Sequence, residues 1–204
     1  MALNVRQLTV DEYHRMAEVG ILNPDERVEL LDGKILKMSP IGARHAAYVH
    51  RITKRFIQWF GERASVSVQN PIILNEFSEP QPDVMLLRFR ENDYYDALPT
   101  ASDVYLVVEV AESTLEFDRS EKLPRYALAE IPEVWIVDTN ADRIEVYRNP
   151  VEGKYQSSQI LKRGDRISIL AFSNREIELN TLALPTLVCE VNACSLDLER
   201  DFAI

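Results

Sequence analysis

The sequence predicts an α/β protein built in the order helix, three strands, helix, strand, and three observations predict it. From Gly42 to about Arg63 the apolar spacing is helical, with Tyr48, Val49, Ile52, Phe56, Trp59 and Phe60 gathered on one face. Three strand-like runs follow, from Ser65 to Gln69 and on past Pro71 to Leu74, from Asp83 to Leu87, and from Val104 to Val110. Loops rich in Pro, Asn and Asp separate them, so an antiparallel meander is expected. A second helix, beginning between Asp118 and Lys122 and ending near Glu130, leads into the buried strand Glu133 to Asp138. Pro124 fits that helix best in its first turn, where its missing N–H has no partner to lose.

The flanks extend this core, which covers about residues 42–140. Thr9 and Glu12 have capping-box spacing, Gly20 can stop the short helix they open, and Glu29 to Ile35 reads as two strands around an Asp32-Gly33 turn. An N-terminal helix and hairpin thus occupy 9–38. Strands through Tyr147, Tyr155 to Leu161 and Arg166 to Leu170 occupy 143–180, and a tail runs over 185–204. At 204 residues the whole is expected to be a single domain.

Composition removes several classes. With 46% hydrophobic and 27% charged residues, mixed in sign, a packed interior is expected rather than disorder. No apolar run reaches the roughly 18 residues of a membrane span, and the first residues lack a basic-then-apolar leader, so a cytoplasmic protein is expected. Cys189 and Cys194 are too few for a four-ligand zinc site and read as reduced thiols. The net charge of −10 counts against a nucleic-acid partner without excluding one, because carboxylates gathered around a metal contribute to the total.

The chemistry centres on Glu109, set among Val107, Val108 and Val110. An unpartnered buried carboxylate costs several kcal/mol, so Glu109 must be neutral, ion-paired or metal-bound. If Asp83 begins one strand and Glu109 ends its antiparallel neighbour, both lie at one sheet edge. Together with the main-chain carbonyl of Val110 they would offer hard oxygen ligands for Mg²⁺ or Mn²⁺. The ordinary alternatives are a turn cap for Asp83 and a structural ion pair for Glu109. Lys122, beside Tyr126 at the margin of the second helix's apolar face, can turn its ammonium toward that edge, or can form an exposed pair with Asp118.

Gln81-Pro-Asp83, Val108-Glu109-Val110, Asp118-Arg119, Lys122-Leu-Pro-Arg-Tyr126-Ala and Ile131-Pro-Glu-Val-Trp-Ile-Val-Asp138 together resemble the Uma-two-type restriction-endonuclease family of the PD-(D/E)XK superfamily. Arg27-Val-Glu29-Leu-Leu-Asp-Gly33, Met38-Ser-Pro40 and His45 extend the resemblance over most of the chain to about residue 180. It implies a restriction-endonuclease-like core, a divalent metal on Asp83 and Glu109, and hydrolysis of a DNA phosphodiester. In the commonest superfamily pattern the lysine stands two residues after the acid, where this chain has Ala111; the resemblance implies that Lys122 takes over from the helix. Glu29, His45, Gln81, Asp118 and Tyr126 are the supporting candidates it brings in.

Read from the residues alone, His45 is more simply a hydrogen-bonded core histidine and Glu29 an exposed strand acid. Arg44, Arg51 and Arg55, with Lys54, form a basic stripe on the first long helix that either follows a phosphate backbone or is a solvated face. A homodimer is expected, since cutting two strands favours two sites. The competing function is a nuclease-shaped binding or assembly module without catalysis.

Overall fold

The computed structural model describes residues 5–183; Cys189, Cys194 and the tail lie outside them. Helix α1 (Val10–Glu18) starts at the capping box, with Thr9 accepting from the Glu12 N–H and Glu12 accepting from the Thr9 N–H. Strands β1 (Val28–Leu31) and β2 (Lys34–Lys37) form the hairpin, whose Asp32 and Gly33 both take positive φ. Helix α2 (Ala43–Phe60) buries Tyr48, Val49, Ile52, Phe56 and Phe60, while Trp59 is only partly covered.

Strands β3 (Ala64–Val68), β4 (Val84–Arg88) and β5 (Val104–Ala111) make the antiparallel meander. Strand β6 (Glu133–Asp138) joins β5 in parallel, and β7 (Arg143–Val151) and β8 (Lys154–Lys162) continue antiparallel. Among the described residues this gives a six-stranded mixed sheet in the order β3-β4-β5-β6-β7-β8. A small pair, β9 (Arg166–Ile167) with β10 (Ile177–Glu178), stands apart.

Alternation along the strands divides the core. Val84 and Leu86 of β4, Leu106 and Val108 of β5, and Trp135 of β6 meet α2 on one face. Met85, Leu87, Val107, Ala111, Val134 and Ile136 meet Tyr126 and Ile131 on the other. Glu109, two residues from both Val107 and Ala111, therefore projects to the second face. The helical segment after β5 covers that face.

Three expectations change. Strand β3 stops at Val68, because Gln69 turns with φ 51° and Pro71 cannot donate to a ladder; Ile73 forms only an isolated bridge to Thr100. The second helix begins earlier than expected, as α3 (Leu115–Phe117), a π-turn (Asp118–Lys122) and α4 (Leu123–Leu128) without interruption. Pro124 thus lies inside a helical run. Its ring and missing N–H disfavour a regular i→i−4 bond there, and the preceding turn widens so that the Leu123 N–H donates to the Asp118 carbonyl. Finally, Arg166 to Leu170 is a strand only at its first two residues, since Leu170 opens a 3₁₀ turn.

Candidate active site

Val84 pairs with Val108, which sets Asp83 opposite Glu109 at the end of the β4–β5 ladder. The Val110 N–H donates to Asp83 Oδ2 at 2.9 Å, His45 Nε2 lies 3.0 Å from the same oxygen, and Gln69 Nε2 donates to Oδ1 at 3.2 Å. Burial alone would raise the Asp83 pKa. His45, the Val110 N–H and Gln69 overrule it and hold the carboxyl below its usual range. The hydrogen bond that His45 makes to Asp83 in turn raises the His45 pKa, against the opposing effect of burial.

On the helix-covered face, Glu109 Oε1 accepts from Tyr126 Oη at 2.6 Å and lies 3.3 Å from Lys122 Nζ. Lys122 Nζ is also 3.3 Å from Glu29 Oε2. The main-chain pairing of Leu30 with Glu79 presses the β1–β2 hairpin against the segment before β4, and Glu29 then accepts from the Gln81 N–H at 3.1 Å. Gln81 itself reaches the Val28 carbonyl at 3.3 Å. Asp118, one face of the π-turn with Lys122, is buried and accepts from Thr114 Oγ1 at 2.7 Å.

Four acidic side chains, Glu29, Asp83, Glu109 and Asp118, thus gather around the Lys122 amine, with the His45 imidazole against Asp83. Burial pushes Glu109 up to about 8, with Lys122 only partly offsetting it, and lifts Asp118 to about 6. Burial pulls Lys122 down, but Glu109, Glu29, Asp118 and Asp83 outweigh it and keep the amine charged above its ordinary value. Tyr126 is raised far above its ordinary value by burial and by Glu109, so it stays a donor.

All of these except Tyr126 line one cleft of about 430 Å³, whose other walls are the hairpin end and the Met38 to Gly42 loop. Among the described residues no group of three or more His, Cys, Asp or Glu side chains forms a ready metal cage. The donor set nevertheless suits a hard divalent cation. Asp83 Oδ1 keeps a lone pair beyond its bond to Gln69, and Glu109 on the neighbouring strand offers a second hard oxygen donor in the same cleft.

The arginine stripe takes no part in this cleft. Arg44 donates to the Thr139 carbonyl, Arg51 donates to the Thr181 carbonyl at 3.0 Å, and Arg55 meets Gln58 at 3.2 Å. None of the three lines the cleft; Arg44 and Arg51 tie α2 to distant loops instead. The sequence places Gln69 only within a strand-like run and gives it no part in the site. No periodic signal marks a glutamine that leaves the strand in the left-handed region, a conformation uncommon outside glycine.

Residues 10–196 match the model of the Uma2 family, described as "Putative restriction endonuclease". A search of curated proteins returned no match. Among solved structures the chain resembles "a putative nuclease belonging to DUF820" from Anabaena variabilis ATCC 29413, with a TM-score of 0.67 and 14% identity over 86% of this chain and 97% of that one. At that identity the likeness establishes the restriction-endonuclease-like fold alone.

Proposed function

The chain belongs to the Uma2 family described as "Putative restriction endonuclease", and from that premise we propose that it is a metal-dependent endonuclease hydrolysing DNA phosphodiester bonds. Asp83, Glu109 and Lys122 stand at the reacting centre of this proposal, with Mg²⁺ or Mn²⁺ as cofactor. One observation carries it: a cluster of four acids and one amine, mostly buried, opens into a cleft instead of closing on itself.

Asp83, Glu109 and the Val110 carbonyl are the groups that would hold the ion, which when bound supplies a polarised phosphate and a more acidic water. Asp83 is ready for this as an anion, held so by His45, Val110 and Gln69. Glu109 is different. With its pKa near 8 it carries a proton at neutral pH, so binding a cation there must release that proton, and apparent metal affinity rises with pH. Tyr126, donating to Oε1, fixes the carboxyl's rotation. Lys122 stays protonated and cannot serve as a base; it stabilises negative charge that develops on phosphorus, while Glu29 braces it from the other side.

A homodimer and a cytoplasmic setting complete the proposal; among the described residues no helix is long and apolar enough to cross a membrane. The alternative, a binding module without catalysis, draws on the contacts Lys122 already makes with two acids. Nicking of supercoiled plasmid in Mg²⁺ tests both readings. Asp83→Asn should abolish nicking while the circular dichroism spectrum is retained. Full activity in that variant overturns the mechanism, and a wild type that neither nicks DNA nor binds Mn²⁺ leaves the module reading in its place.

A further inference from the structure

An acidic cleft floor repels a phosphodiester backbone, so a nucleic acid that reaches Asp83 and Glu109 needs a cation on the wall. The cations on the floor are already committed, Lys122 to Glu29 and Glu109 and His45 to Asp83. The stripe on α2 lies outside the cleft.

Two other cations line it, Arg27 and Lys37, both at the open end of the β1–β2 hairpin. Lys37 is mostly exposed and lies 3.8 Å from Glu26. Arg27 is half-buried, and its guanidinium donates only to the Ser39 carbonyl, at 3.3 Å. Among the described residues it has no carboxylate within ion-pair distance, whereas Arg90, Arg119, Arg125, Arg143 and Arg148 each have one. Its backbone is pinned, because the Met38 N–H donates to the Arg27 carbonyl at 2.9 Å. A guanidinium on a pinned backbone, lining the same cleft as Asp83 and Glu109 and with most of its donors uncommitted, is the group that can grip phosphate oxygens in a fork.

We infer that Arg27 binds the phosphate backbone of the substrate and that the nucleic acid enters along the hairpin wall, not along α2. This rests on the nuclease reading above. A phosphate neighbouring the scissile one sits against Arg27, and its negative charge is the binding determinant, so the contact is independent of base sequence.

Fluorescence-anisotropy titrations of a short DNA duplex with Ca²⁺ in place of Mg²⁺, at several salt concentrations, test this alongside plasmid nicking. Arg27→Ala should weaken binding by about tenfold in low salt and reduce the slope of log K against log salt by about 0.9. In nicking it should raise KM and leave kcat largely unchanged. Arg27→Lys should recover the salt slope while regaining only part of the affinity, which an unfolded variant would not do. Arg55→Ala, on α2, should match wild type throughout. If Arg27→Ala binds with wild-type affinity and slope while Asp83→Asn still abolishes nicking, the Arg27 assignment falls and the nuclease reading stands. If the wild type neither nicks plasmid in Mg²⁺ nor binds the duplex, the nuclease reading falls and the assignment with it.

Discussion

Glu109→Gln separates the electrostatic account of the site from a purely steric one. The amide keeps an oxygen for Tyr126 and Lys122, so packing is preserved and the titration is removed. In the folded wild type, burial lifts Glu109 to about 8 from an ordinary 4.5. Between those two pH values the fold holds a proton that the unfolded chain releases, so stability falls as pH rises through that window. At about 1.4 kcal/mol per pH unit, the ceiling on Glu109's share is about 5 kcal/mol. Asp118 draws on the same ammonium, so the measured share should be about 2–5 kcal/mol. Urea unfolding in EDTA at pH 5, 6.5 and 8 reads this directly. Wild type should lose stability across the whole range, whereas Glu109→Gln should lose it chiefly below about pH 6.5, where Asp118, lifted to about 6, titrates. Adding Mg²⁺ at pH 8 should restore stability to wild type and do little for the variant. An equal fall from pH 6.5 to 8 in both proteins would refute the reasoning, because Glu109 would then not be the group that holds the proton.

Two more outcomes follow from the same geometry. Lys122→Met leaves Glu29 and Glu109 without their shared cation and should cost about 3–5 kcal/mol at pH 8 in urea unfolding, but less at pH 5.5, where Glu109 holds its proton; equal costs at both pH values would speak against the cluster. Gln69→Gly suits the positive φ while deleting the amide bond to Asp83, and should raise the Mn²⁺ concentration for half-maximal nicking about 10–100-fold, with a wild-type unfolding midpoint as the check on folding.

The elements of the core were legible because their signals are local. Helix α2 shows itself by apolar spacing, the hairpin by Asp32-Gly33, and the acid in β5 by its valine neighbours. The contact of Lys122 with Glu109 also followed from a nearby strand and the next helix, once the order of elements was known. The π-turn did not, because Pro124 can be accommodated either by starting a helix or by widening one, and only packing over the sheet selects between them.

What tertiary structure alone decided is which charges share a field. Glu29 meets Lys122 from 93 positions away because Leu30 pairs with Glu79 and carries the hairpin against the sheet edge. Arg44 and Arg51 look like a binding stripe on a helical wheel, yet their guanidiniums end on carbonyls of Thr139 and Thr181, while Arg27, alone on a short strand flank, lines the cleft. Periodicity reports which face of an element is buried; it carries no information about what the chain brings to that face. Desolvation and Coulomb attraction, which set how these acids and the lysine titrate, depend on that assembly and not on the order of residues.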